Sequence, residues 1–226
     1  MNNFMDEFFR RKEDGFVFDS YSFLHLILFA FMVIVAILLY KYRRKIRENK
    51  KIYKYVRLIF IFLLAFQQIS FLYFICFVRK DTINEALPLY TCRISIYSGF
   101  FALIFNSNNL KILTIFLGLI GGIIGLIFPD LMPYSWPHIM YVNFFLTHFL
   151  VFWVSLFFLI VDKIKIKKEN LKFNLNYAYL SYSPVFTNLL NKLPAIIYFL
   201  LAAILYNFSI FLNFYIFKKL KLIEVN

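Results

Sequence analysis

Long apolar stretches, broken by short polar or basic ones, run through almost the whole chain. A helix that crosses hydrocarbon needs about 20 mainly apolar residues. Six stretches have that character: Tyr21–Tyr40, Tyr53–Val78, Leu89–Phe105, Ile112–Phe128, His138–Val161 and Pro194–Phe217. Their apolar runs are continuous, without the alternation that barrel strands show, so they predict helices. The expected fold class is all-α, a polytopic transmembrane helix bundle of six helices. An extramembrane segment over 1–20 precedes the bundle at 21–217, and a short basic tail follows at 218–226. Asn170–Leu193 is rich in Tyr and Asn and contains Pro184. It fits a surface loop, an interfacial helix or a seventh span, and a seventh span would move the C-terminus to the other side.

Composition removes the soluble alternatives. Of 226 residues, 62% are hydrophobic and 32 are Phe, whereas soluble domains average about 45–50% apolar. The net charge of +13 sits beside the apolar runs, which points to lipid headgroups and topology rather than nucleic acid. Lys41, Arg43, Arg44, Lys45, Arg47, Lys50, Lys51 and Lys54 fill one connection; Lys163, Lys165, Lys167, Lys168, Lys172 and Lys192 fill another. Both fall on one face with Lys111, and the positive-inside rule makes that face cytoplasmic. The expected product is a multi-pass cell-membrane protein whose N-terminus is extracellular. Lys218, Lys219 and Lys221 pull weakly against an outer C-terminus.

Polar groups are costly in hydrocarbon, so those that occur there are candidates for function. Leu87–Phe149 holds Cys92, Arg93, Asp130, His138 and His148; His25 lies early in the first span and Gln67 and Gln68 near the middle of the second. Most of this set falls in the outer half of the bilayer. Cys92 opens a helix, where free N–H groups suit an anion, and Arg93 follows it. A cysteine with a histidine base is a covalent nucleophile for acyl transfer. Counting residues from the outer side, upright helices leave Cys92 and His148 about 8 Å apart in depth. Each residue also has a plainer reading. Cys92 serves as a small buried apolar residue, Asp130 as a turn residue, His25 as a polar contact between helices, and Arg93 as a snorkelling cation. Gly118, Gly121, Gly122 and Gly125 allow close helix packing. No Lys-Ser or Lys-Thr follows them, so they are not a phosphate loop. Cys76 and Cys92 make neither a disulfide framework nor a metal finger, and no metal or cofactor is expected. The expected partners are membrane phospholipids.

These motifs resemble the YwaF-like bacterial integral membrane proteins, whose animal relative is transmembrane protein 164. The family's Leu-Pro-Leu-His-Leu-Cys-Asp segment reads Leu87-Pro88-Leu89-Tyr90-Thr91-Cys92-Arg93 here. Its glycine-rich helix ending in Pro-Asp matches Gly118–Asp130. Its next segment matches Pro137-His138, Phe144-Phe145 and His148, and its early histidine matches His25. The resemblance covers Leu87–Val161 best. It implies a lipid acyltransferase that moves acyl chains between phospholipids, with Cys92 as nucleophile and His148 as base. Arg93, His138, His25, Asp130 and Tyr90 are then the expected substrate-binding residues. The chain departs from the motif at Tyr90 and Arg93, where the family has histidine and aspartate. The family also usually has one more helix, and its Asn-Tyr-aromatic segment matches either Asn176-Tyr177-Ala178-Tyr179 or Asn213-Phe214-Tyr215.

Sequence alone therefore carries an outer-leaflet acyltransferase or acyl hydrolase as the leading expectation. The alternative is a non-enzymatic transporter, lipid-binding protein or scaffold.

Overall fold

Ser22 starts the first long helix by accepting the His25 N–H at 3.4 Å, as N-cap serines do. The computed structural model describes residues 4–81 and 91–166, together with the helical positions Leu212, Tyr215 and Lys219. All regular structure described is helical: α1 (Phe4–Phe8), α2 (Phe23–Glu48), α3 (Lys50–Tyr73), α4 (Thr91–Phe105), α5 (Asn108–Ile127) and α6 (Ile139–Ile160). A π-helical extension, Phe74–Arg79, continues α3. Lys80 then ends it in the left-handed region at φ 61°. Among the described residues four helices are long and apolar enough to cross a membrane: α2, α3 with its extension, α5 and α6. The 15 described residues of α4 are apolar. Most of the predicted last span, Pro194–Phe217, lies outside the described residues, as do Asn170–Leu193 and Tyr90.

The basic connection expected over Lys41–Lys54 is almost entirely helical, because Lys, Arg and Glu are good helix formers. Only Asn49 breaks it. Its backbone N–H reaches Lys45 O to close α2, and its side-chain oxygen accepts the Lys51 and Ile52 N–H groups to open α3.

α6 is the central helix, packed against α2, α3, α4 and α5. Its apolar residues face every direction, as a fully surrounded helix requires, and Val154, Phe157 and Phe158 are wholly buried. α2 is peripheral. Its buried residues are His25, Met32, Leu39 and Ile46, one stripe at seven-residue spacing, while Phe23, Leu26, Ile27 and Ile34 are exposed. Such a narrow seam leaves the rest of the helix for lipid. Trp153 Nε1 donates to Met32 O at 3.0 Å and pins the seam to α6.

Gly118, Gly122 and Gly125 of α5 act as close-packing positions, whereas Gly121, expected to do the same, has nothing within 4 Å of an added Cβ. A Cβ on Gly118 would clash with Ser95 Oγ, Ser155 Oγ and Val151 O, and one on Gly122 with Phe152 and His148 O. Ser155 Oγ donates to Val151 O at 2.6 Å or Thr114 O at 2.7 Å, so its hydroxyl is satisfied inside the bundle.

Basic side chains also close helix ends. Arg47 donates to Val161 O and Ile160 O at the end of α6. Arg57 does the same for Leu103 O and Ile104 O at the end of α4. Last-turn carbonyls have no partner within their own helix, so these contacts fill a real vacancy. Lys111 bonds Asp162 Oδ2 at 2.5 Å and Asn106 Oδ1 at 2.7 Å, while Tyr53 donates to Asp162 Oδ1 at 3.0 Å.

At the opposite end the N-terminal segment is strapped across residues 132–138. Arg10 donates to Ser135 O at 2.8 Å and Pro137 O at 3.0 Å. Tyr134 donates to Arg11 O at 3.0 Å, and Asp14 accepts the Ser135 hydroxyl and N–H. Burial works against ionisation of Asp14, but the Ser135, Phe16 and Arg10 donors outweigh it and hold the carboxyl well below the usual range.

Candidate functional site

The chain's three histidines differ in what their ring nitrogens do, and that difference selects one of them. His25 Nδ1 accepts the Tyr21 N–H at 2.8 Å, and Nε2 lies 2.6 Å from Leu126 O. An N–H can only donate to a carbonyl, so Nε2 carries the proton and both nitrogens are occupied. His138 has the same arrangement. It caps α6 with Nδ1 accepting the Met140 N–H at 3.1 Å, and Nε2–H donates to Arg10 O at 3.0 Å. Its ring lies parallel to Tyr134 at 3.9 Å.

His148 is wired the other way round. Nδ1 lies 2.7 Å from Phe144 O, so the proton is on Nδ1 and Nε2 keeps its lone pair. Among the described residues Nε2 takes no hydrogen bond. The Phe144 ring stands 4.4 Å from the imidazole, and the Nε2 edge rests on Gly125. A Cβ there would overlap Cδ2 and Nε2. The imidazole is thus held by its backbone bond, a flanking ring and a glycine, in the tautomer that can receive a proton.

Cys92 is a free, half-buried thiol on the first turn described for α4. Its depth follows from a contact one heptad inward. A Cβ on Gly99 would stand 3.4 Å from Val154 Cγ1. α4 and α6 run in the same direction, so seven residues outward on each brings Cys92 level with Thr147. Cys92 and His148 are therefore within about one helical turn in depth. The 8 Å separation expected from counting residues does not hold, because α6 begins about two turns further out than Thr91. Cys92 shares the α4 face of Ile96, Gly99 and Leu103, all buried.

The other candidates are dispersed. The Arg93 guanidinium sits 3.4 Å over the Phe71 ring, on the α3 side of α4. Asp130 is exposed in the turn after α5. His25 is bonded at the C-terminal end of α5 and His138 beneath the N-terminal strap. Among the described residues no three of His, Cys, Asp and Glu gather as metal ligands.

A second polar group went unrecognised in the sequence. Ser70 Oγ lies 3.0 Å from both Gln67 O and Asn143 Oδ1, and Gln68 Nε2 donates to Tyr97 at 2.8 Å. Gln67 and Gln68 were visible as mid-helix amides. Asn143, inside the apolar α6, turns toward α3 through Ser70.

A family model described as the TMEM164 family matches residues 20–175. No curated protein and no solved structure matches the chain.

Proposed function

The chain belongs to the TMEM164 family, and from that premise we propose that it is a membrane-embedded acyltransferase acting on phospholipid acyl esters, with Cys92 as nucleophile and His148 as general base. The observation that carries this reading is the His148 tautomer. Its Nδ1–H is committed to Phe144 O, so Nε2 is the nitrogen without a proton, within about one helical turn of Cys92 in depth, and takes no hydrogen bond among the described residues.

The chemistry balances with these two groups. His148 Nε2 takes the Cys92 thiol proton as the sulfur attacks the ester carbonyl. The tetrahedral adduct collapses, its C–O bond breaks, and His148 returns the proton to the departing alcohol oxygen. A thioester on Cys92 remains. A second alcohol then gives its proton to Nε2, attacks the thioester carbonyl and releases the sulfur, which recovers the proton. Microscopic reversibility makes one histidine serve as base and acid in turn. Arg93 supplies a cation for a lipid phosphate, and the Phe-rich faces accommodate acyl chains. The basic end that holds Lys50, Arg57 and Lys111 faces the cytoplasm in this reading.

The test is acyl transfer from a diacyl to a lyso phospholipid in proteoliposomes. Cys92→Ala is expected to remove transfer, and His148→Ala to lower it at least about 100-fold, the usual span for loss of a general base. Full activity in either folded variant would exclude the pair. Within the described residues α5 and α6 are continuous helices, unlike the broken helices of many transporters.

A further inference from the structure

The cations at the basic end fall into two sets, and the fold uses only one of them. Arg47, Arg57 and Lys111 turn inward, onto oxygens of Val161, Leu103 and Asp162. Lys41, Arg44, Lys45, Lys51 and Lys54 are exposed, and no ion pair among the described residues involves them. Glu48 is the one carboxylate between Lys41 and Leu58. The positive charge of this face is left for a group outside the chain.

Helix geometry says what lies against it. Residues one heptad apart share a helix face, offset by only about 20°. One heptad before Lys41, Arg44 and Lys45 stand Ile34, Ile37 and Leu38, all exposed. In α3, Lys51 and Tyr55 stand one heptad before the exposed Leu58 and Phe62. On both arms of the α2–α3 hairpin, the face left for acyl chains runs straight into cations. Tyr40, Tyr42 and Tyr55 are exposed at the changeover, as aromatic residues are at headgroup level. The Arg43 guanidinium sits 3.8 Å over the Tyr40 ring, and Lys41 Nζ stands 5.7 Å from the Tyr42 ring, so belt and cations share one depth. The group that fits this face is anionic, lies at the edge of the hydrocarbon and carries acyl chains. A soluble acidic protein or nucleic acid lacks the chains that would cover Ile37 and Leu58.

We propose that Lys41, Arg44, Lys45 and Lys51, on the outward face of the α2–α3 hairpin, bind the headgroup of an anionic phospholipid. Arg44 supplies the planar fork that suits a phosphate, and the lysines add point charges around it. The acyl chains lie along Ile34, Ile37, Leu38 and Leu58. The site is at the far end of the bundle from Cys92 and is independent of acyl transfer.

Native mass spectrometry of the full chain in detergent measures the preference, with phosphatidylglycerol and phosphatidylcholine of the same acyl chains as probes. The wild type is expected to bind phosphatidylglycerol at least about 20-fold more tightly, since several cations act on one headgroup. Arg44→Gln combined with Lys45→Gln is expected to lower that ratio at least about tenfold. Lys41, Arg43, Lys50, Lys51 and Lys54 remain in this variant to hold the topology. Arg11→Gln combined with Lys12→Gln removes the same charge from exposed positions at the other end, and is expected to leave the ratio unchanged. Equal affinity of the wild type for the two lipids overturns the site, as does a ratio that the folded Arg44/Lys45 variant retains. A phosphatidylglycerol with a photoreactive headgroup locates the site without any variant. Label on peptides covering 40–54 is the expected result, and label confined to other segments overturns the site. Polyphosphate bound by a wild type that shows no preference for phosphatidylglycerol would assign the cations to a soluble polyanion and overturn it too.

Discussion

Gly125→Ala is expected to lower acyl transfer about as far as His148→Ala does, by at least about 100-fold, while the protein stays folded. The added methyl overlaps Cδ2 and Nε2 of His148, so the ring must turn out of its rotamer or α5 must withdraw from α6. Turning the ring breaks the bond from Nδ1 to Phe144 O, and with it the tautomer that leaves Nε2 basic. Gly121→Ala is the matched control. No described atom lies within 4 Å of a Cβ built there, so its activity is expected to equal that of the wild type. Helix propensity favours alanine at both positions, which makes the pair a test of the imidazole position alone. Parallel transfer assays and thermal melts of the two variants measure it. Equal activity of both would show that the His148 ring is not part of the reaction.

Asp162→Ala is expected to be the most destabilising single change at the basic end, costing about 3–5 kcal/mol. Lys111 and Asp162 side chains are each 6% exposed and 2.5 Å apart. Removing the carboxylate leaves a buried ammonium with only Asn106 Oδ1, and it strips Tyr53 of its acceptor. A melt in detergent is expected to fall by on the order of 10 °C. Lys111→Met combined with Asp162→Leu is expected to recover most of that loss, since an apolar pair of similar volume often replaces a buried ion pair at little cost. A double variant as unstable as the single one would mean that the loss comes from the packing of α3, α5 and α6 and not from the charge.

How much of this the sequence reveals depends on the kind of interaction. Spans follow from apolar length, so the cores of α2, α3, α5 and α6 are legible. The role of Gly118 and Gly122 is legible too, because small residues at helical spacing have one common use in a bilayer. Helix ends are less so. Arg47 and Lys111 read as topology signals, and nothing local reveals that each meets a carbonyl or carboxylate distant in sequence. The N-terminal strap was invisible for the same reason: Arg10 and Asp14 look like an ordinary charged leader until Ser135 is beside them. Cys92 and His148 are legible as residues but not as a pair. Their relative depth depends on where α4 starts against α6, which residue counting does not give. Asn143 is a lone amide in an apolar run, and nothing local reveals that Ser70 of α3 stands beside it.

Incubating the protein with a diacyl phospholipid and weighing its peptides tests the central claim most directly. An acyl mass on the Cys92 peptide, removable by hydroxylamine as thioesters are, is the expected result. It is expected to be absent in Cys92→Ala and to accumulate far more slowly in His148→Ala. Acyl transfer that proceeds with no mass on Cys92, or with the acyl group on another side chain, would contradict the account.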